Sequence, residues 1–227
     1  MSEKKHKPWR VLKFGGSSVS SLDDWRNITT IINEHLAQGF KVTVIHSAFK
    51  NVTNRLEELA QKAVQQDVSI QFEQLQHQHI LMAQELSLEA ELLSPWFDSL
   101  QQTIDNIKSK QLLSPCDRAE VVAHGELLSS TLGAAFLSRE LNCETQWVDA
   151  RQVLTAVDDV PKNVNEYFLN AVCHPRANSA ISQEWAGKSD VVLSQGFIAN
   201  NSNGQTVLLG REGSDTSAAY FASLLDA

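Results

Sequence analysis

Residues 11–19, Val-Leu-Lys-Phe-Gly-Gly-Ser-Ser-Val, bring one lysine, Lys13, to the point where an apolar run ends in Gly15-Gly16. Glycine lets main-chain N–H groups approach an anion with no Cβ in the way, and successive N–H groups in such a turn form a concave anion site. Ser17 adds a hydroxyl donor and lysine a mobile point charge suited to a phosphate. A strand-ending lysine is more often simply solvated, so the weight comes from a second site far downstream. Residues 208–218, Leu-Leu-Gly-Arg-Glu-Gly-Ser-Asp-Thr-Ser-Ala, set Arg211 between Gly210 and Gly213, ahead of the apolar stretch 219–225. A guanidinium in that setting is shaped to hold a carboxylate in two hydrogen bonds. Ser214 or Asp215 is placed to N-cap the closing helix, whose amino end favours anions. A tight turn capped by Asp215 accounts for these glycines, but not for the arginine between them.

A third element lies between the two. Residues 117–128, Asp-Arg-Ala-Glu-Val-Val-Ala-His-Gly-Glu-Leu-Leu, read as a helix starting near Ser114-Pro115 with Asp117 in its first turn. Together the three resemble the aspartokinases of the amino acid kinase superfamily. The entry motif is similar over Lys13 to Val19, the middle helix over Glu120 to Glu126, and the substrate loop over Gly210 to Thr216. Ser47-Ala48 through Asn51-Val52-Thr53-Asn54, and Ser194-Gln195-Gly196-Phe197-Ile198, agree in order and place. The likeness runs from residue 9 to residue 227. Its opening at Trp9 and its Ser-Asp-Thr-Ser-Ala-Ala-Tyr-Phe ending look most like the kinase half of the bifunctional aspartate kinase/diaminopimelate decarboxylases.

The resemblance implies transfer of the γ-phosphate of ATP to the β-carboxylate of L-aspartate, the first step toward lysine, threonine and methionine. Mg²⁺ would be held mainly through the nucleotide phosphates, with no metal site of the chain's own. It implies that Lys13 binds the transferring phosphoryl, and that Gly15, Gly16 and Ser17 donate to phosphates. Arg211 would clamp the substrate α-carboxylate, Glu120 would take the α-ammonium, Ser47 and Thr53 would lie near the reacting carboxylate, and Ser214 and Asp215 would complete the substrate loop. Asp215 is left with three roles: cap, contact to the ammonium, or order for Mg²⁺ waters. His124 and Glu126 also match the pattern, as ligand contacts or as a packing and capping network. Two positions depart from it: Glu212 stands where the family has glycine, and Asn51 lies near another glycine position. Asparagine enters the left-handed region at modest cost, whereas glutamate adds charge and a Cβ beside an anion loop. The family's nucleotide segment, with Thr-Asp-Val-Pro-Gly-like and Thr-x-Asp-Pro-Arg-like runs, would follow residue 227. Residues 9–227 on this reading are an amino acid kinase-type domain cut before the adenosine half of the ATP site, inactive alone, after a disordered tail at 1–8. A homodimer and fused downstream domains are compatible with it. Two other readings stay open: a non-catalytic module that binds aspartate or phosphate, and a kinase of this fold acting on another carboxylate.

The elements that position these residues follow from periodicity. Arg10 to Phe14 and Lys41 to His46 read as strands, joined by a helix with Trp25, Ile28, Ile32 and Leu36 on one face and Gly39 as its stop. Thr53 to Val64 reads as the next helix. The order is a parallel βαβ unit with both ligand-like loops at the carboxyl ends of its strands, where open α/β sheets bind ligands. From about Ser69 to Leu141 the pattern is helical only, an excursion beside the sheet. Within it Phe72, Leu75, Met82 and Leu86 share a face, as do Phe97, Leu100, Ile104 and Ile107. Strand signals return at Thr145 to Asp149 and over 190–199. Asn203-Gly204 then marks a hairpin of the turn type with positive φ at both central residues, with Thr206 to Leu209 as the return strand. Residues 174–190 read as loop-rich, with no clear boundary. The fold class expected is α/β, a mostly parallel open sheet between helix layers, Rossmann-like and amino acid kinase-like.

Composition narrows the class further. The chain has 227 residues, 42% of them apolar, and a net charge of −8, which argues against nucleic acid as a partner. Cys116, Cys143 and Cys173 are few and widely spaced, which points to a reducing compartment. No signal peptide and no membrane-spanning run is legible, so a cytoplasmic protein is expected. His77 and His79 lack a partner at metal-ligand spacing and read as solvated or core-edge side chains.

Overall fold

The computed structural model describes residues 7–158, 163–174 and 176–227. Most of the tail expected at 1–8 therefore lies outside the described residues. Four parallel strands form the main sheet in the order β1 (Trp9–Phe14), β2 (Lys41–His46), β4 (Val191–Gln195), β3 (Thr145–Val148). Every residue of β2 and β4 is buried, as expected of central parallel strands covered on both faces. Alternate residues divide between two cores: Val42, Val44, Val191 and Leu193 enter one, Ile45 and Val192 the other.

The first core is roofed by α1 (Leu22–Ala37), α2 (Val52–Ala63), α3 (Ser69–Glu85) and α4 (Ser94–Lys110). The second holds α6 (Val164–Leu169), α7 (Ser179–Lys188), α8 (Gly213–Leu225) and the antiparallel pair β5 (Ile198–Asn200) and β6 (Thr206–Leu208). Helix α5 (Pro115–Glu140) belongs to both, since Leu128, Leu132 and Phe136 pack into the first and Val122, Ala123 and Leu127 into the second. The expected excursion is thus three helices deep, but its last helix runs through the middle of the molecule. Ser114 caps α5 by accepting from the Asp117 amide at 3.1 Å, as its sequence foreshadowed.

Three local readings change. The segment 174–190 is not all loop: Asn178 accepts hydrogen bonds from the Ala180 and Ile181 amides and starts α7. That helix buries Trp185 against Trp9 and Phe221, and one buried anchor leaves little periodicity to read. The strand expected over 190–199 is two strands in two sheets, broken at Gly196-Phe197, where Phe197 takes φ 69°. The hairpin at Asn203-Gly204 exists, but only Gly204 has positive φ (74°). The Gly204 amide donates to the Asn201 carbonyl, and Asn201 Oδ1 accepts from the Asn203 and Gln205 amides. That is the three-residue loop closed by a left-handed glycine.

Two packing details carry consequences. The indole of Trp25, fully buried, donates to the Val19 carbonyl at 3.0 Å and lies on Gly133 of α5, where a Cβ would overlap the ring. His79 is buried between Phe49 and Phe97 with Nδ1 2.8 Å from the Leu75 carbonyl, while His77 is exposed. Burial pushes the imidazoles of His79 and His46 down to about 4. Gly133→Ala should lower stability by about 1–3 kcal/mol despite alanine's better helix propensity, because the methyl displaces a fully packed ring. A thermal midpoint equal to or above that of the wild type would refute this. In acid, the unfolded chain protonates both histidines below about 6.5 while the folded chain resists until about 4. Stability should therefore fall with pH through that window. His79→Leu should flatten the decline in calorimetry across pH 4–6.5; an unchanged slope would exonerate this residue.

Candidate functional site

Parallel pairing aligns Phe14 with His46 and His46 with Gln195. The chain segments that leave β1, β2 and β4 therefore emerge side by side on one edge. Hydrogen bonds stitch them to each other and to the helices. The Ser20 hydroxyl donates to the Gly16 carbonyl at 2.5 Å and accepts from the Lys50 amide at 2.9 Å, tying the first loop to the second. Gly16 sits so close to that loop that a Cβ would lie 2.6 Å from the Ala48 carbonyl oxygen. Its role is close approach, since its φ is not positive. Ser47 Oγ donates to Ser214 Oγ at 2.9 Å, and the Phe197 amide donates to Ser217 Oγ at 2.9 Å, so the second and fourth loops both hold α8. The Ala48 amide reaches Glu126 Oε1 of α5 at 3.3 Å.

These segments enclose a cleft of about 310 Å³ lined by Lys13, Ser47, Thr53, Glu126, Phe197 and the run Gly210 to Asp215. Six of the residues singled out from sequence thus meet in one place: Lys13, Ser47, Thr53, Arg211, Ser214 and Asp215. Gly15, Gly16 and Ser17 form the turn beside Lys13, with the Ser18 amide donating to the Gly15 carbonyl, and Ser17 exposed. They adjoin the cleft without being among its lining residues.

Of the two α5 glutamates that match the family pattern, Glu126 lines the cleft and Glu120 does not. Glu120 faces Arg151 at 3.6 Å. That arginine is also held by Asp149 through paired hydrogen bonds and by Thr206 Oγ1 at 3.1 Å. Six residues of α-helix turn a side chain by about 120° net and carry it about 9 Å along the axis, so Glu120 and Glu126 leave α5 in different directions. Glu126 is 2% exposed, its Oε2 has no hydrogen-bond partner, and burial pushes its carboxyl up to about 8. The other helix residue singled out, His124, is buried too and lies outside the lining. Its Nδ1 is 2.8 Å from the Glu120 carbonyl, and desolvation lowers its affinity for a proton.

The start of α8 also differs from expectation. Neither Ser214 nor Asp215 caps it; the capping position is Glu212, with no side-chain hydrogen bond. Glu212 takes φ 58° and ψ 22°, the left-handed conformation that glycine adopts freely and glutamate at a cost. Asp215 consequently falls in the first turn and pairs with Lys13, Oδ1 to Nζ, at 3.0 Å. Asn51, at φ 67°, enters the same region as expected. Arg211 and Glu212 are both exposed, and among the described residues neither forms an ion pair. Phe197 was not singled out from sequence for the site. The signal was present as a glycine-aromatic pair ending a fully buried strand.

The family model described as the amino acid kinase family matches residues 8–227. The chain is 30% identical over 218 residues to an aspartokinase of Chlamydia trachomatis, covering 96% of this chain and 46% of that protein. It is 29% identical to lysine-sensitive aspartokinase 3 of Escherichia coli, again covering 96% and 46%. Among solved structures, E. coli aspartokinase III in complex with aspartate and ADP superposes with a TM-score of 0.77 at 26% identity, over 97% of this chain and 47% of that one. The chain thus spans just under half the length of these relatives. A model match over nearly the whole chain, with a parallel sheet of the same fold, leaves one assignment: the chain belongs to the amino acid kinase family.

Proposed function

We propose that this chain carries the aspartate and phosphate sites of an aspartokinase, which moves the γ-phosphate of ATP to the β-carboxylate of L-aspartate. The observation that carries the reading is the cleft itself: two cations, Lys13 and Arg211, line it together with a buried carboxyl, Glu126, whose Oε2 has no partner. An amino dicarboxylic acid has the complementary charges. Its carboxylate nucleophile is already ionised at neutral pH and needs no general base. Catalysis then amounts to bringing two anions together and neutralising them.

Arg211 clamps the α-carboxylate, and Glu126, rather than Glu120, receives the α-ammonium. Ser47, Thr53 and Ser214 offer hydroxyls around the β-carboxylate. Lys13 meets the transferring phosphoryl, with Gly15, Gly16 and Ser17 as donors beside it. Asp215 fixes the lysine by its ion pair. Mg²⁺ carried on the nucleotide phosphates would supply further charge neutralisation there. Support for these roles comes from the lining residues and from the aspartate and ADP bound by the E. coli neighbour.

Two sets of variants test the division of labour. Arg211→Ala should weaken L-aspartate binding by about tenfold or more, since a charge-assisted bidentate contact is lost. Lys13→Ala should leave that affinity within about threefold and, in a protein that carries the nucleotide segment as well, abolish aspartate-dependent phosphoryl transfer, its charge being matched to the transition state. Equal effects of the two on calorimetric affinity would sink the assignment. Glu212 lines the cleft but is exposed and, among the described residues, in no ion pair, so its carboxylate is read as a solvated surface charge. Glu212→Gly should therefore leave aspartate affinity unchanged at low and high salt, while relief of the left-handed strain raises stability by about 1 kcal/mol at most. Tighter binding in the variant that fades with salt would mean the side chain competes for Arg211.

A further inference from the structure

On the reading of the cleft as an amino-acid site, we infer that Glu126 selects for a ligand ammonium by proton exchange: its carboxyl is the neutral acid in the empty cleft and ionises when a ligand ammonium takes the proton's place. The geometry leaves little else to stabilise a carboxylate there. The side chain is 2% exposed and receives one long hydrogen bond, 3.3 Å, from the Ala48 amide. Oε2 is buried, without a partner, on a residue that lines the cleft. A charge taken out of water with so few compensating contacts is normally neutralised by a proton.

Among the described residues no cation pairs with Glu126. Of the charged residues lining the cleft, Lys13 is committed to Asp215, while Arg211 and Glu212 are exposed. Helix α2, packed on α5, turns Glu57 to Arg118 and Arg55 to Gln78. Helix α3 contributes the buried His79, and Arg151 on the segment after β3 is engaged by Asp149 and Glu120. At the end of α4, Lys110 faces Asp117. Burial pushes the carboxyl up to about 8 and the imidazoles of His46 and His79 down to about 4, and desolvation lowers the proton affinity of His124 on the same helix, so these imidazoles are neutral across neutral pH.

An ammonium arriving at Oε2 reverses the balance, because opposite charges attract strongly where water is excluded. The carboxyl O–H bond breaks, its proton leaves to bulk water, and the ammonium N–H groups donate to the resulting carboxylate. One positive charge enters and one leaves, so the buried site stays neutral overall. Hydroxyls of Ser47, Thr53 and Ser214 can hydrogen-bond a ligand but cannot supply that balance. A dicarboxylate of the same length without an ammonium leaves Glu126 protonated and Oε2 unfilled.

Calorimetric titration of the chain with L-aspartate and with succinate, at pH 7 in two buffers of different ionisation heat (a sulfonate and imidazole), counts the protons exchanged. About one proton should be released per L-aspartate bound and none per succinate, with succinate weaker by an order of magnitude or more. The apparent Kd for L-aspartate should fall about tenfold per pH unit between pH 6 and 7.5 and level above 8. Glu126→Gln, which keeps the acceptor for the Ala48 amide, should release no proton and show a flat pH profile. Should that variant fail to fold, the wild-type proton count and the succinate comparison decide alone. Binding of L-aspartate without proton release, or equal release with succinate, overturns the inference and leaves the reading of the cleft intact. Absence of L-aspartate binding at every pH overturns both.

Discussion

Everything at the cleft depends on the in-register parallel pairing of β1, β2 and β4. Because Phe14, His46 and Gln195 are level, three chain segments leave the sheet at one edge and in one direction. Antiparallel neighbours would have sent alternate segments to opposite edges, and Lys13 would have had no loop facing it. Burial enforces the register: a slip by one residue would move Val42 and Val44 out of one core and Ile45 out of the other. The chemistry is therefore secured by packing at a distance from it.

With three segments fixed in place, the backbone between them must bend sharply, and the cost appears at the rim. Asn51, Phe197 and Glu212 all have positive φ, and they end or begin the segments after β2, after β4 and before α8. A bulky aromatic in the left-handed region persists only where its surroundings over-determine it. At Phe197 they do: its amide is held by Ser217 Oγ, its carbonyl by the Leu209 amide, and its ring packs where a Cβ on Gly213 would lie 2.6 Å away. Strain of this kind is localised where α8 presents its amino end, so the same contacts that bend the chain also aim Ser214 and Asp215.

How far the sequence could be read follows from which of these forces it displays. Strands β1 and β2, the cap at Ser114 and the glycine loops were legible because local chemistry alone determines them. Six cleft residues followed from loop motifs. What stayed hidden depended on tertiary packing. Helix α5 is buried on nearly every side, so it has no polar face to orient it, and pattern alone could not tell that Glu126 rather than Glu120 faces the cleft. Helix α7 has one buried anchor, Trp185, and its weak amphipathicity looked like loop. At Glu212 the sequence showed the departure from glycine, but only the backbone reveals that the glutamate still adopts glycine's conformation.

Glu126 shows why such a residue is costly to keep. Its ordinary value is 4.5 and its folded value about 8. Between the two, the unfolded chain gives up the proton while the folded chain retains it, so folding loses about 1.4 kcal/mol per pH unit over that window. Above about pH 8 both forms are ionised and the loss stops growing. At neutral pH the accumulated cost is roughly 3 kcal/mol, a sizeable share of the 5–15 kcal/mol that holds an ordinary domain together. A glutamine would keep the Ala48 contact and avoid the cost of ionisation. The acid is the worse choice for folding and, on the proposed reading of the cleft, the better one for meeting a cation.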